Sequence, residues 1–198
     1  MSNARMLEAW LYEGGPLEHE VNEDPTVVLA RDMATQYHKG QCYGDRPYEY
    51  HLAQVADIVS SLGTEHVVVA WLHDILEDTQ LKFHRIEELF GYGIATNVAA
   101  LTDPHLPSRK QRKERMDARL LSIARSMPHF DVALQVKCAD RLSNIRNSIG
   151  DARRLAMYES EHASFSWSIG AARDRRKLTH IEVSTIYVDF GRLKKISL

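Results

Sequence analysis

Six consecutive apolar residues, Val67 to Leu72, run directly into His73-Asp74-x-x-Glu77-Asp78. Thr64 stands where a helix cap is expected, so the segment reads as one helix from Glu65 to about Glu77. The first half of that helix is apolar nearly all round and leaves no side for water, which places it in the middle of a helical bundle. The run is far short of the roughly 20 residues that span a bilayer, so its neighbours must come from the chain itself.

Helical punctuation supplies those neighbours. Asp24-Pro25 opens a helix closed by Gly40, with Val28, Leu29, Met33 and Tyr37 as its apolar positions. A second helix runs from Tyr48 to Gly63, carrying Leu52, Val55, Ala56, Val59 and Leu62 at helical spacing. Shorter helices cover His84 to Phe90, ended by Gly91, and Gly93 to Thr102, ahead of Asp103-Pro104. Ser108 caps a charged helix to Met127, Asp131 to Ile149 form a long helix ended by Gly150, and Ala152 to Ile169 form the last. The expectation is a single all-α domain over 24–170. The tail, 171–198, is of unclear structure, and the β-branched stretch His180 to Phe190 reads as a strand or an extended segment.

Composition narrows the class. Of 198 residues, 44% are hydrophobic, too many for a disordered chain. Lys and Arg number 25 against 27 Asp and Glu, a balance that gives no reason to expect nucleic-acid or membrane partners. No basic segment leads into a hydrophobic stretch at the N-terminus, and Cys42 and Cys138 read as free thiols, so a cytoplasmic protein is expected.

The chemistry is concentrated after Leu72. With His73 at zero on a helical wheel, Glu77 falls near about 40°, Asp74 near about 100° and Asp78 near about 140°. Three carboxylates grouped at the end of a buried helix repel one another and are costly to desolvate. They also oppose the helix dipole. A divalent cation resolves the conflict. His51 lies beside the apolar stripe of the preceding helix, and imidazoles mixed with carboxylates suit Mn²⁺, Fe²⁺ or Zn²⁺ better than Ca²⁺ or hydrated Mg²⁺. Asp140 and Asn144 fall opposite the stripe Leu134, Cys138, Leu142, Ile145 and Ile149. Periodicity alone makes Asp140 a solvent-facing residue paired with a nearby Arg or Lys.

Together, His51, His73-Asp74 and Asp140 resemble the metal-binding pattern of the HD-domain phosphohydrolases. Pro47-Tyr48-x-x-His51, Leu72-His73-Asp74-x-x-Glu77-Asp78-Thr79, Phe90-Gly91 and Lys137-x-Ala139-Asp140-Arg141-Leu142-x-Asn144-x-Arg146 resemble the RelA/SpoT hydrolase domain and its small stand-alone alarmone hydrolases, with matches from about Ala30 to Tyr158. The resemblance implies an α-helical bundle holding Mn²⁺ and removing the 3′-pyrophosphate of guanosine tetra- or pentaphosphate. By motif position it implies His51, His73, Asp74 and Asp140 as metal ligands, and Glu77 and Asp78 as the groups that orient or deprotonate water. Asn144, Arg154 and Tyr158 match nucleotide-contacting positions, and Arg109 and Lys110 stand where the family places a phosphate-binding lysine. The loop Gln41-Cys42-Tyr43-Gly44-Asp45-Arg46 departs from the family, which often packs a cation on the base there; Tyr43 can stack on a purine instead. Leu52 also replaces a favoured proline. Two other readings therefore stay open: an HD phosphohydrolase of another nucleotide, and a catalytically silent nucleotide-sensing module.

Overall fold

Asp24 accepts a hydrogen bond from the Thr26 amide at 2.8 Å, and Pro25 begins helix α1, Pro25–Tyr37. A computed structural model describes residues 23–103, 106–126 and 131–173. Helix α1 buries Val27, Ala30, Met33 and Ala34, while Leu29 and Tyr37 are each 41% exposed. The face expected from the larger side chains is therefore rotated. The small Ala30 and Ala34 let the helix pack closely on its neighbour, and bulk misled the sequence reading.

After α1 the chain makes a hairpin of two-residue strands, β1 (Cys42–Tyr43) and β2 (Arg46–Pro47), with Tyr43 opposite Arg46. Its turn uses Gly44 at φ 65°, a conformation that glycine adopts without a steric penalty. Strands this short have no periodicity to read. Helix α2, Glu49–Val59, buries His51, Leu52, Val55, Ala56 and Val59, and a 3₁₀ turn at Ser60–Leu62 leads to Gly63.

Helix α3, Thr64–Leu72, is the central rod, and α1 and α2 pack against it. The expected continuation to Glu77 does not occur. The backbone leaves the helix at Asp74 (φ −102°, ψ −2°) and restarts as one turn, α4, Ile75–Asp78. Asp74 is the pivot: its carbonyl accepts the amides of Glu77 at 3.1 Å and Asp78 at 2.9 Å.

Helix α5, Phe83–Leu101, contains the two expected pieces, divided at Gly91 (φ 83°, ψ 165°). Ser108 caps α6, Arg109–Ser126, by accepting from the Gln111 amide. Helix α7, Asp131–Arg146, packs against α2, α3 and α5, and is buried over most of its circumference. Helix α8, Ala152–Arg173, outruns its expected end at Ile169 and packs along α6. The remainder of the expected tail, 174–198, lies outside the described residues. The result is the all-α bundle that the apolar run requires. No helix of the described residues is long and apolar enough to cross a membrane.

Candidate metal centre

His51 from α2, Asp74 from the end of α3 and Asp140 from α7 line the floor of one cavity, and the buried His73 meets them with Nε2 3.0 Å from Asp74 Oδ2. One donor atom each from His51, His73 and Asp74 lies within 4.8 Å of the others. Asp140 Oδ1 stands 3.3 Å from His51 Nε2 and 3.9 Å from His73 Nε2. The solvent-facing position expected for Asp140 from periodicity is thus corrected. Because α7 is buried nearly all round, the side opposite its main stripe is also interior.

Hydrogen bonding fixes which ring nitrogen is available. His73 Nδ1 donates to the Ala70 carbonyl at 2.7 Å, which leaves the lone pair on Nε2. The Ser143 hydroxyl spends its one hydrogen on Gln54 Oε1 at 3.0 Å, so it accepts from His51 Nδ1 at 3.2 Å. His51 therefore also presents a bare Nε2. Anchoring one imidazole nitrogen in this way is how proteins orient a metal-binding histidine.

The buried His73 Nε2 has no hydrogen bond within the described structure, although Asp74 Oδ2 is 3.0 Å away. A lone pair facing a carboxylate oxygen demands positive charge between them. Burial disfavours the charged imidazole, but Asp74 and then Asp140 outweigh it and push His73 up to about 9, so Nε2 carries a proton until a cation takes its place. Against a desolvation that would raise it, the His73 charge holds Asp74 well below the usual carboxylate range. Asp140 is likewise held low against burial, chiefly by Lys137, whose Nζ is 3.1 Å from Oδ2. Two imidazoles and two carboxylates of this polarity fit a divalent cation.

The two further acids differ from the ligands. Burial, with Asp74 and Asp103 adding to it and the Asp103 amide opposing it, pushes Glu77 up to about 7. That amide donates to Glu77 Oε2 at 2.7 Å. Asp78 is raised as well, by burial and then by Asp74. The Tyr48 hydroxyl reaches both Asp74 Oδ2, at 2.7 Å, and Asp78 Oδ2, at 2.9 Å. Glu77 can therefore exchange protons near neutrality.

The cavity holds about 250 Å³, and part of its wall is basic. Arg109, Arg112 and Lys113 face it from α6, and Arg141 and Asn144 from α7. Arg109 is 2.8 Å from Glu161, and Lys113 is 2.6 Å from Asp103. Of the residues expected to bind substrate, Tyr43, Arg109, Asn144 and Tyr158 line the cavity, and Lys110 and Arg154 do not. Lys110 is 85% exposed beside Glu114, and Arg154 is exposed beside Asp151. Tyr43 lies flat on the His51 ring at 4.6 Å, and its hydroxyl donates to Asn144 Oδ1, so one of its faces is already occupied.

Tyr48, Asp103, Arg112, Lys113, Lys137 and Arg141 were not singled out from sequence as site residues. For Arg112 and Lys113 the signal was present: they lie three and four positions after Arg109 and share its helix face, whereas Lys110 is turned about 100° away.

Residues 29–162 match the family model of the HD domain. The chain is similar to guanosine-3′,5′-bis(diphosphate) 3′-pyrophosphohydrolase MESH1 of Danio rerio, at 32% identity over 64% of this chain and 72% of that protein. The Xenopus tropicalis MESH1 is 33% identical over 64% of this chain and 72% of its own length. Similarity extends to the probable GTP diphosphokinase RSH2 of Arabidopsis thaliana, at 28% identity over 66% of this chain, which spans only 19% of that larger protein. A solved structure described as a metazoan orthologue of SpoT that hydrolyses ppGpp superposes with a TM-score of 0.66 at 20% identity, covering 90% of this chain and 99% of its own, and so shares the fold.

Proposed function

The chain belongs to the HD-domain family, and we propose that it is a metal-dependent hydrolase that removes the 3′-pyrophosphate of guanosine tetra- and pentaphosphate, giving GDP and pyrophosphate from the tetraphosphate. The observation that carries this reading is the pair of imidazoles anchored through Nδ1, with Nε2 atoms facing Asp74 and Asp140, in one cavity with Glu77 and a set of basic side chains. We assign residues 24–170 to the hydrolase domain. Free Cys42 and Cys138 fit a reducing compartment such as the cytoplasm.

His51, His73, Asp74 and Asp140 would hold the cation, which we take to be Mn²⁺. When bound, it polarises a phosphoryl oxygen and lowers the pKa of water. Glu77 accepts a proton from the attacking water, whose oxygen joins the phosphorus attached to the ribose 3′-oxygen. The phosphorus–oxygen bond to the 3′-oxygen breaks, pyrophosphate leaves, and a proton returned by the Glu77 and Asp78 pair completes the 3′-hydroxyl. Arg109, Arg112 and Lys113 take the phosphate charge, while Asn144 and Tyr158 orient the nucleoside. Lys110 and Arg154, set outside the cavity, have no direct contact in this scheme.

One observation favours a second reading. Tyr43 covers His51 and occupies Asn144 where a cation is frequent in the family, which suits an HD phosphohydrolase of another nucleotide. Incubating the Mn²⁺-loaded protein with 3′- and 5′-phosphorylated nucleotides, and weighing the products, separates the two. The alarmone reading expects GDP with pyrophosphate. Orthophosphate released from the 5′ end, or indifference to a missing 3′-diphosphate, assigns the second reading.

A further inference from the structure

Tyr48 begins α2 directly after the hairpin, one turn before His51, and its side chain is held on several sides. Its ring stacks on His38 with centroids 4.7 Å apart and planes 9° apart. It meets Tyr43 edge-on at 6.3 Å and His51 edge-on at 6.0 Å. A phenylalanine would satisfy every one of those contacts. The hydroxyl is what packing does not explain: it sits 2.7 Å from Asp74 Oδ2 and 2.9 Å from Asp78 Oδ2.

Asp74 Oδ2 is the oxygen that faces both imidazoles, 3.0 Å from His73 Nε2 and 3.9 Å from His51 Nε2. Asp78 is fixed from its other end, because Gln41 Nε2 donates to its carbonyl at 2.8 Å while Gln41 Oε1 contacts His38 Nδ1 at the same distance. The ring that stacks on His38 thus carries the hydroxyl that touches Asp78, and the residue bonded to His38 holds the Asp78 backbone. We propose that Tyr48 is a positioning residue whose hydroxyl forks between the carboxylates of Asp74 and Asp78 and sets one against the other.

The fork acts through two partners, and each has its own readout. A hydrogen bond to a metal-binding carboxylate selects its orientation before the ion arrives, so losing it weakens metal affinity. The bond to Asp78 acts on turnover, and that arm rests on the hydrolase reading above.

The experiment is Tyr48→Phe in the 198-residue chain, stripped with chelator and titrated with Mn²⁺ by calorimetry, alongside the wild type. The expected result is a weakening of the Mn²⁺ Kd by about 10- to 100-fold with an unchanged thermal midpoint. With guanosine tetraphosphate, kcat falls while KM holds. Combining Tyr48→Phe with Asp78→Asn then costs less than the product of the two single effects, because both remove the same contact. Wild-type Mn²⁺ affinity in Tyr48→Phe overturns the inference, and so does an affinity loss that comes only with a lowered thermal midpoint, which assigns the hydroxyl to the fold. Multiplicative kcat effects overturn the link to Asp78. If the wild type leaves guanosine tetraphosphate intact while the Mn²⁺ shift appears, the hydrolase reading falls and the positioning role stands.

Discussion

On the floor of the cavity, His73 donates through Nδ1 to a carbonyl and its buried Nε2 faces a carboxylate unbonded; on the wall, Arg109 and Lys113 already hold carboxylates, Glu161 at 2.8 Å and Asp103 at 2.6 Å. The floor is oriented and electrically incomplete. On the wall, Arg109 and Lys113 are already paired and are partly exposed, with side chains 39% and 25% accessible. Pairs that water reaches contribute about 0–1 kcal/mol, so a phosphate can replace Glu161 on Arg109 at small cost. Removing one partner from a buried pair costs about 3–5 kcal/mol, and Lys137 with Asp140, at 11% and 13% side-chain exposure, comes close to that class. The floor is built to stay in place and the wall to exchange partners.

The sharpest way to break this contrast is at the floor. His73→Ala removes one of the two bare nitrogens and should abolish stoichiometric metal binding. Turnover should fall by more than the roughly 100-fold that loss of a supporting contact can cause. Metal analysis beside an activity assay checks it, and a metal-replete, active variant would disprove the arrangement.

Glu77→Gln comes next. The amide keeps the Asp103 contact but cannot accept the water's proton, so kcat should drop by about 10²- to 10⁴-fold with the metal retained. In the wild type the base works deprotonated, so the rate should rise with pH through a limb no higher than about 7, the value to which burial lifts Glu77. The charge of a bound dication moves that limb down. In the variant the limb should vanish. The stability sign is opposite: a carboxyl raised on folding favours the folded state below its unfolded pKa, and that contribution is lost as pH climbs through about 7.

On the wall the expected changes are in KM. Lys113→Ala and Arg112→Ala should each raise KM by about tenfold, from loss of one charge-assisted contact, and leave kcat nearly intact. Lys110→Ala should change neither constant, since the side chain points away from the cavity. Steady-state kinetics on the three variants decide whether the helix face, rather than the local density of basic residues, selects the contacts.

How far the sequence could be read follows the same division. His51 and His73-Asp74 were visible because polar groups on apolar helices violate a pattern. Asp140 was invisible to periodicity because α7 is interior on nearly every side, and a helix without a solvent face has no pattern to violate; only its motif pointed to it. The face of α1 was misread because Ala30 and Ala34 bury completely while the bulkier Leu29 stays out. The break at Asp74 carries no proline or glycine to announce it. Nothing in the sequence marks the role of Tyr48, since a hydroxyl shared by two distant carboxylates is a tertiary fact.

That break has a mechanical consequence. Asp74 offers its side chain to the imidazoles and its carbonyl to the amides of Glu77 and Asp78. Had the helix continued, the amide of Asp78 would still have bonded to that carbonyl, but the acids would have followed the rod's own pitch. With the rod cut at this residue, a short lever begins there. One amino acid thus separates the side chain that faces the imidazoles from the turn that carries Glu77 and Asp78, and the Asp103 amide and the Tyr48 hydroxyl brace the far end of that short lever.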